Sequence, residues 1–600
     1  MTAPKAPQVG HIVLLANAPW TDTKQLCIFA TRVVQLAHRP VSVTIFTNET
    51  FLDRARREVS SELAQDASRA SNIRIIALPA DRHQHFVDPT FEAALEKVYR
   101  QLVAGETIRC AATGEEYGPL PTPHAIITPK NSTLEALVRL RAAASAAHPN
   151  TNANTSARNV KLLAWCSRVP ATLFFFHSPA ERGGIGDVRK RVREEAVRRR
   201  APEEEVCEET IAFLDSTLIR VPGYEPIYNH EIQPQELNHH GNLGLEWLTI
   251  NDPPLAHHHS RLTLGCLDAH MHTRTDHSMF ATCDGVLLST PECYDALSII
   301  GARAWMAETA RGLYAVGPTL SAGAYAVENE LMQADRGTEV RDFVSRVLKS
   351  HGPRSLLYIS LGQWMWPKDP EKMWTLLDVV MELRIPFILS HASGFARIPD
   401  EVQEKVDRYQ LGLLSSWCPQ QMILNHPVTA WFLTHCGQCS VMEAISAGVP
   451  MYVLPTHPSF FLSILGDGAL NAIHLTDTLK CAYELLEVRS GHGLGRIYRT
   501  GARASSTPAA LRAEMRDVLE KAFGEDGARK RENVGKVRER FARVWREPLL
   551  GKAMGKGKGK GIGSEGQGRW EGPLSGLEPG AEEGQSVREM ERFLAEVGLQ

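Results

Sequence analysis

The sequence predicts an α/β protein of two domains, each built on a mostly parallel sheet with flanking helices. Three observations predict it. Apolar runs of strand length alternate with amphipathic helical stretches, first between His11 and Val316 and again from about Val340 to Leu454. The 600 residues exceed what one hydrophobic core usually supports. Between the two series, Gly317 to about Asp335 reads as an interdomain linker.

Along the first half, His11–Ala16 reads as a buried strand, Thr23–His38 as an amphipathic helix and Val41–Thr47 as a second strand, together a βαβ unit. Ile73–Leu78 is the next strand. Ala125–Thr128, a helix from Ser132 and a strand at Ala171–Phe176 continue the alternation, and Val286–Ser289 and Leu313–Val316 close it. Residues 186–206 are a dense run of mixed charge, read as a solvated helix laced with i,i+4 pairs rather than as a binding site. The second half opens with a helix near Val340. Its strands are Leu356–Leu361, Phe387–Ser390, Leu411–Ser415, Ala430–Thr434 and Met451–Leu454. After Leu550 comes GKAMGKGKGKGIGSEGQG, a Gly/Lys tract expected to be disordered, and Val587–Leu599 reads as a short amphipathic helix. The expected division is therefore 1–320, 336–545 and a tail over 551–600.

An apolar fraction of 43% with 22% charged residues fits a soluble globular chain. The net charge of -3 argues against a general nucleic-acid binder. Eleven cysteines, odd in number and scattered, suit reduced thiols in the cytoplasm better than a disulfide frame. Ile12–Ala16 is too short for a secretory leader, and no run reaches the roughly 18 apolar residues of a membrane span. The histidines at 257–259, 270, 272 and 277 match no zinc spacing and read as a solvated loop.

The chemistry concentrates between Trp417 and Pro455. Val428–Thr434 is a strand, His435-Cys436-Gly437 a tight turn, and Ser440 opens a helix that Gly448, Val449 and Pro450 close. A helix N-terminus offers unpaired N–H groups and the positive end of its dipole to a phosphate. Trp417, in a loop with Pro419, offers a flat face on which a base can stack. Strand, turn and helix end point to a nucleotide without naming it. Two other patterns overlap this one. Ser440-x-x-Glu443 is also a capping box, which would occupy both side chains in closing the helix. Cys436-x-x-Cys439 has the spacing of a redox dithiol, a role that requires thiols of low pKa.

The order W-x-P-Q, H-P, H-C-G-x-x-S-x-x-E, G-V-P and P resembles the nucleotide-sugar signature of the UDP-dependent glycosyltransferases. HIVLLANAPW (11–20), CDGVLLSTPECY (283–294), LYAVGPTL (313–320), YISLGQWMWP (358–367), FILSHAS (387–393) and LNAIHLTD (470–477) resemble the fungal branch of that family. The resemblance runs from near residue 10 to about 545. It implies the GT-B fold, two Rossmann-like domains facing across a cleft, with the donor on the second and the acceptor on the first. By the same resemblance Trp417 stacks on uracil, Gln420 bonds the nucleoside, and His435 donates to the diphosphate at the Gly437 turn. Ser440 touches a phosphate and Glu443 binds both ribose hydroxyls. The donor is a UDP-sugar, most commonly UDP-glucose. The acceptor is a small, partly apolar molecule with a hydroxyl, transfer inverts the anomeric carbon, and no metal or other cofactor is needed.

Departures from the family pattern cluster at the sugar and at the base. Gln438-Cys439 stands where the family has Trp-Asn, so Cys439 replaces a phosphate-binding amide with a weak donor. Alignment on Leu470-Asn471-Ala472 puts Asp467-Gly468 where the family has Asp/Glu-Gln, with SFFLSILG (459–466) as an insertion; direct counting would give Ser459-Phe460. Aligning APWTDTKQLC (18–27) puts Asp22 at the place of the catalytic histidine, and IITPK (126–130) lacks the aspartate that would orient it. Asp22 then serves as base, aligns an acceptor that is already acidic, or simply caps the following helix. The alternative function is a catalytically impaired relative that binds a nucleotide or a partner.

Overall fold

The computed structural model describes residues 9–17, 19–64, 66–80, 89–129, 131–147, 160–178, 180–183, 188–202, 206, 217–232, 282–321, 337–363, 366–367, 369–454, 467–546 and 583–600. The histidine-rich stretch, the insertion 459–466 and the Gly/Lys tract lie outside the described residues.

Seven parallel strands form the first sheet: β1 (Gly10–Ala16), β2 (Val41–Asn48), β3 (Ile73–Leu78), β4 (Ala125–Thr128), β5 (Lys161–Cys166), β6 (Gly285–Leu288) and β7 (Gly312–Ala315). Their order is β7-β6-β5-β4-β1-β2-β3. The second sheet has β8 (Leu356–Ser360), β9 (Phe387–Ser390), β10 (Gly412–Ser415), β11 (Thr429–Thr434), β12 (Met451–Val453) and β13 (Ala482–Glu484), in the order β10-β9-β8-β11-β12-β13. Helices cover both faces, so the central strands are apolar on both sides. β1 and β11 are buried at every position. Each sheet reverses its winding beside its first strand, between β1 and β4 and between β8 and β11. Ligands of such sheets bind at that reversal, beyond the carboxyl ends of the strands. Among the described residues no helix is long and apolar enough to cross a membrane.

The sequence misplaces two elements of the first half. Ala171–Phe176 is not a strand; Ala171–His177 is a helix entered through Pro170, and the strand is Lys161–Cys166. A short apolar run has no periodicity that separates helix from strand, and the Pro at its start is the better guide. The first helix, α1, spans Trp20–Leu36 rather than beginning at Thr23, with Pro19 at its N-cap. The charged run behaves as read: Val188–Arg199 is a helix carrying the i,i+4 pairs Lys190–Glu194 and Glu195–Arg199.

The end of the chain returns to the first domain. After α5 (Glu525–Arg543), the indole of Trp545 donates to the Pro318 carbonyl at 3.0 Å, and Arg32 lies over its ring. The final helix, α6 (Gln585–Glu596), packs Phe593 against Phe29 and Tyr314. Its Glu589 accepts from Arg303 and from the Ala315 N–H. The residues over 585–599 are thus part of the first domain's core, not a free tail.

Candidate active site

The donor side is built where β11 ends. Its last residue, Thr434, is followed by His435, then by Cys436 at φ 64, a left-handed turn that is uncommon away from glycine. Gly437 caps α3 (Gln438–Ala447), and a Cβ there would come within 2.5 Å of His435 Nε2. The helix therefore starts two residues before Ser440. This removes the capping-box account: Ser440 lies in the first turn and Glu443 does not reach back to the cap.

Glu443 turns instead to α2 (Gln420–Asn425), which Pro419 starts. Gln420 Nε2 donates to Glu443 Oε2 at 2.7 Å and to Ser440 Oγ at 3.3 Å; Gln421 Nε2 donates to Glu443 Oε1 at 2.9 Å. Each carboxylate oxygen keeps a lone pair for a further donor, so Glu443 is held in place without being used up. Tyr358 on β8 donates to Gln420 Oε1 at 3.4 Å. Trp417 is half-buried, with its backbone carbonyl taken by Ser415, and is not a packed core residue. Gln420, Ser440 and Glu443 thus form one cluster beside the N-terminus of α3.

His435 stands at the reversal between β8 and β11, in contact range of Gly362 at the end of β8. Burial pushes its pKa down to about 4, against a hydrogen bond that the ring donates to the Ser360 carbonyl, so the ring is neutral at pH 7. Its Nδ1 is buried and has no partner among the described residues. A neutral imidazole has one N–H, which the Ser360 carbonyl takes here; only the other tautomer presents that proton to an anion at the helix N-terminus.

Cys436 and Cys439 are free thiols, and burial pushes both well above the ordinary cysteine range, with neighbouring carboxylates acting the same way. The redox role required the opposite.

Asp467 begins α4 (Asp467–Ile473) and is 2% exposed. Its Oδ2 accepts from the Gln438 N–H at 2.9 Å. Burial raises its carboxyl to about 7; the Gln438 bond and the Arg168 charge act against this, and Asp22 adds to it. Asp22 lies in the first turn of α1, inside the helix rather than at its cap, so the capping account of that residue fails. Gln25, three residues on and on the same helix face, donates to Cys439 Sγ at 3.2 Å. Asp22 is accordingly carried on the first domain but faces the donor turn of the second.

The first domain reaches the same turn twice more. Gln438 Nε2 donates to Thr290 Oγ1 at 2.9 Å, and the Tyr294 hydroxyl donates to Asn471, which donates to the Cys436 carbonyl. Sequence reasoning missed Gln25, Thr290, Tyr294, Gln421 and Asn471. Three of these lie within the flanking segments CDGVLLSTPECY and LNAIHLTD, where the resemblance was visible but a contact between distant segments was not.

Residues 329–477 match the family model of UDP-glucoronosyl and UDP-glucosyl transferase. The UDP-glycosyltransferase eriJ of Hericium erinaceus is 24% identical over 530 residues, covering 86% of this chain and 90% of its own. DIMBOA UDP-glucosyltransferase BX8 of Zea mays is 38% identical over 155 residues, a match spanning 24% of this chain and 31% of that enzyme. The structure of Medicago truncatula UGT71G1, complexed with UDP-glucose, superposes with a TM-score of 0.59 at 13% identity over 98% of each chain. A transferase from Siraitia grosvenorii in complex with UDP gives 0.58 at 15% identity, covering 98% of this chain and all of that one. Two doubly wound domains with a helix N-terminus at the sheet reversal of the second define the GT-B fold. Residues 329–477 form a UDP-glycosyltransferase domain by the family-model match, and over most of its length the chain is similar to a UDP-dependent glycosyltransferase.

Proposed function

We propose that the chain transfers a sugar, glucose foremost, from its UDP ester to a hydroxyl of a small, partly apolar acceptor, with inversion at the anomeric carbon. The observation that carries this is the Gln420–Ser440–Glu443 cluster set beside His435 at the N-terminus of α3. In this scheme Trp417 and Gln420 hold the uracil end, Glu443 accepts from the ribose hydroxyls, and Ser440 and the Gly437 turn meet the phosphates. Cys439 lines the same turn, and Asp467 accepts from the sugar. His435 and the α3 N–H groups stabilise the departing diphosphate, a task that calls on no metal.

The acceptor oxygen attacks the anomeric carbon as the bond to the β-phosphate oxygen breaks, and UDP leaves with the bonding electrons. Asp22 takes the acceptor proton. Its support is its place on the α1 face that meets Cys439 and its closeness to Asp467. Carboxylates are weak bases for alcohols, so acidic hydroxyls suit this role best. The Phytolacca americana UGT2 complex with UDP-2fluoro-glucose and pterostilbene, of TM-score 0.54 and 16% identity, supports an acceptor of this size in the fold. A cytoplasmic setting fits the dispersed cysteines. The binding-only alternative draws no support from relatives named as transferases.

Calorimetric titration with UDP and with UDP-glucose tests the donor assignment. Both should bind, with the sugar adding affinity, and Glu443→Ala and His435→Ala should each weaken UDP binding. Unchanged UDP affinity in both variants would overturn the site. Asp22→Asn should lower kcat with little change in UDP affinity, and full activity would remove Asp22 from the chemistry.

A further inference from the structure

The start of α1 is pinned from both sides of the cleft. On its own domain, the buried Thr23 hydroxyl donates to the Ala16 carbonyl at the end of β1, at 3.1 Å. On the other, Gln25 Nε2 donates at 3.2 Å to the sulfur of Cys439, the second residue of α3. Asp22 belongs to the same turn, next to Thr23 and on the helix face of Gln25.

The Gln25 amide can take only one orientation. Its oxygen accepts from Trp165 Nε1 at 3.4 Å, and an indole nitrogen can only donate. The amide nitrogen therefore has to face Cys439. Gln25 is 5% exposed and Trp165 2%, and Trp165 packs edge-on against Phe29, one helical turn beyond Gln25. Phe29 in turn meets Phe593 of α6, so the indole that orients the amide is itself held by the core.

Burial, with the nearby Asp22 charge adding to it, pushes the Cys439 thiol well above the ordinary cysteine range, so the sulfur stays neutral. A neutral thiol is a weak acceptor, and the bond from Gln25 adds little stability. Its consequence is geometric. It fixes how closely α1 approaches the N-terminus of α3, and so where the Asp22 carboxylate stands. A general base works only within hydrogen-bond reach of the proton it takes, so small displacements of α1 are costly.

We propose that Gln25 is a positioning residue for the transfer step: oriented by Trp165, it docks α1 on Cys439 and thereby places Asp22 at the acceptor hydroxyl. The proposal rests on the assignment of Asp22 as the base. In this role Gln25 acts through α1 and not on the nucleotide.

The test is transfer from UDP-glucose to phenols of graded acidity, from 4-nitrophenol to 4-methoxyphenol, together with UDP titration. Gln25→Leu removes the amide at similar size. It should lower kcat about tenfold for the least acidic phenol and less than about twofold for 4-nitrophenol, whose proton depends least on the base. UDP affinity should stay within about twofold. Trp165→Phe keeps a ring against Phe29 without the N–H; it should show the same trend more weakly, and it serves if Gln25→Leu does not fold. In an Asp22→Asn background Gln25→Leu should cost nothing further, because both changes act on one proton transfer. An unchanged kcat, an equal loss for every phenol, a further loss in Asp22→Asn, or a UDP affinity that falls as much as kcat would overturn the proposal. If Asp22→Asn is itself fully active, or the native protein transfers to no phenol, the base assignment fails and the proposal falls with it.

Discussion

The Tyr294 hydroxyl, on the first domain, donates to Asn471 Oδ1 of the second at 2.8 Å, and Asn471 passes the constraint on by donating to the Cys436 carbonyl at 2.9 Å. Cys436 is the residue whose left-handed conformation aims His435 and the α3 N-terminus. The bond therefore ties an interdomain contact to the shape of the donor turn. Tyr294→Phe keeps the ring packing against His474 and Phe541 but leaves a buried acceptor unpaired. The expected cost is about 1–3 kcal/mol of stability. UDP affinity should also fall several-fold, because the turn loses its support. Thermal unfolding and UDP titration check the two effects; a stability loss at unchanged UDP affinity would separate the contact from the site.

A second interdomain contact is electrostatic. Glu231, fully buried on the first domain, accepts at 2.9 Å from the N–H groups of Tyr228 and Tyr498 and lies 3.6 Å from Arg499. Arg499 is also held by Glu484 and Asp477. Removing Glu231 leaves two amides without an acceptor while Arg499 keeps Glu484 and Asp477, a loss of about 1–3 kcal/mol for each unpaired donor. Glu231→Ala should lower the unfolding midpoint sharply. Glu231→Gln, which retains an acceptor for the amides, should lose roughly half as much.

Much of this architecture is legible in the chain because burial on both sheet faces makes the parallel strands continuous apolar runs. The strand ending at Thr434 and the turn after it need only local chemistry to read. What is not legible has a common cause. Asp22, Gln25, Thr290 and Tyr294 acquire meaning only when a second segment is brought against them, and no periodicity encodes that pairing. Ala171–Phe176 is misplaced for another reason, since a six-residue run with five apolar residues suits either element until Pro170 is given weight. The start of α3 was misread at Ser440 because Gly437 is a weaker capping signal than serine in sequence, whereas the left-handed Cys436 leaves the chain no other place to begin the helix.

Asp467 makes the protein's stability depend on pH in a determinable direction. Its carboxyl is raised from the ordinary aspartate value to about 7 in the folded state, chiefly by burial. The folded state then binds a proton that the unfolded chain releases near pH 4, so this residue's contribution falls as pH rises from 4 to 7 and stays low above 7. Asp467→Asn keeps an acceptor for the Gln438 N–H and removes the titration. It should be more stable than the native protein at pH 8, by roughly 1.4 kcal/mol per unit of the shift, and the difference should vanish near pH 4. Denaturant titrations at pH 5 and pH 8 measure it; a pH-independent difference would mean that Asp467 does not titrate in this range.

The C-terminal helix supplies the clearest prediction of what the chain can lose. The Gly584 N–H donates to the Arg543 carbonyl and the Ser586 N–H to the Val544 carbonyl, both at 3.0 Å, so the chain leaves α5 and rejoins α6 at one point. The segments on either side of 547–582, which lie outside the described residues, already meet, and α6 is core. Met590, Phe593, Leu594 and Leu599 are fully buried, and a Cβ on Gly10 of β1 would collide with Leu599. At about 1.5–3 kcal/mol per buried apolar side chain, these four contribute an amount comparable with the net stability of a typical domain, about 5–15 kcal/mol. Truncation after Arg546 should leave the first domain unfolded or aggregated. Replacing 550–580 by a few glycines should preserve the fold and raise stability by about 1–2 kcal/mol, the closure entropy of the shortened loop. Equal thermal stability of the truncated and internally deleted proteins would show that α6 contributes nothing to the core.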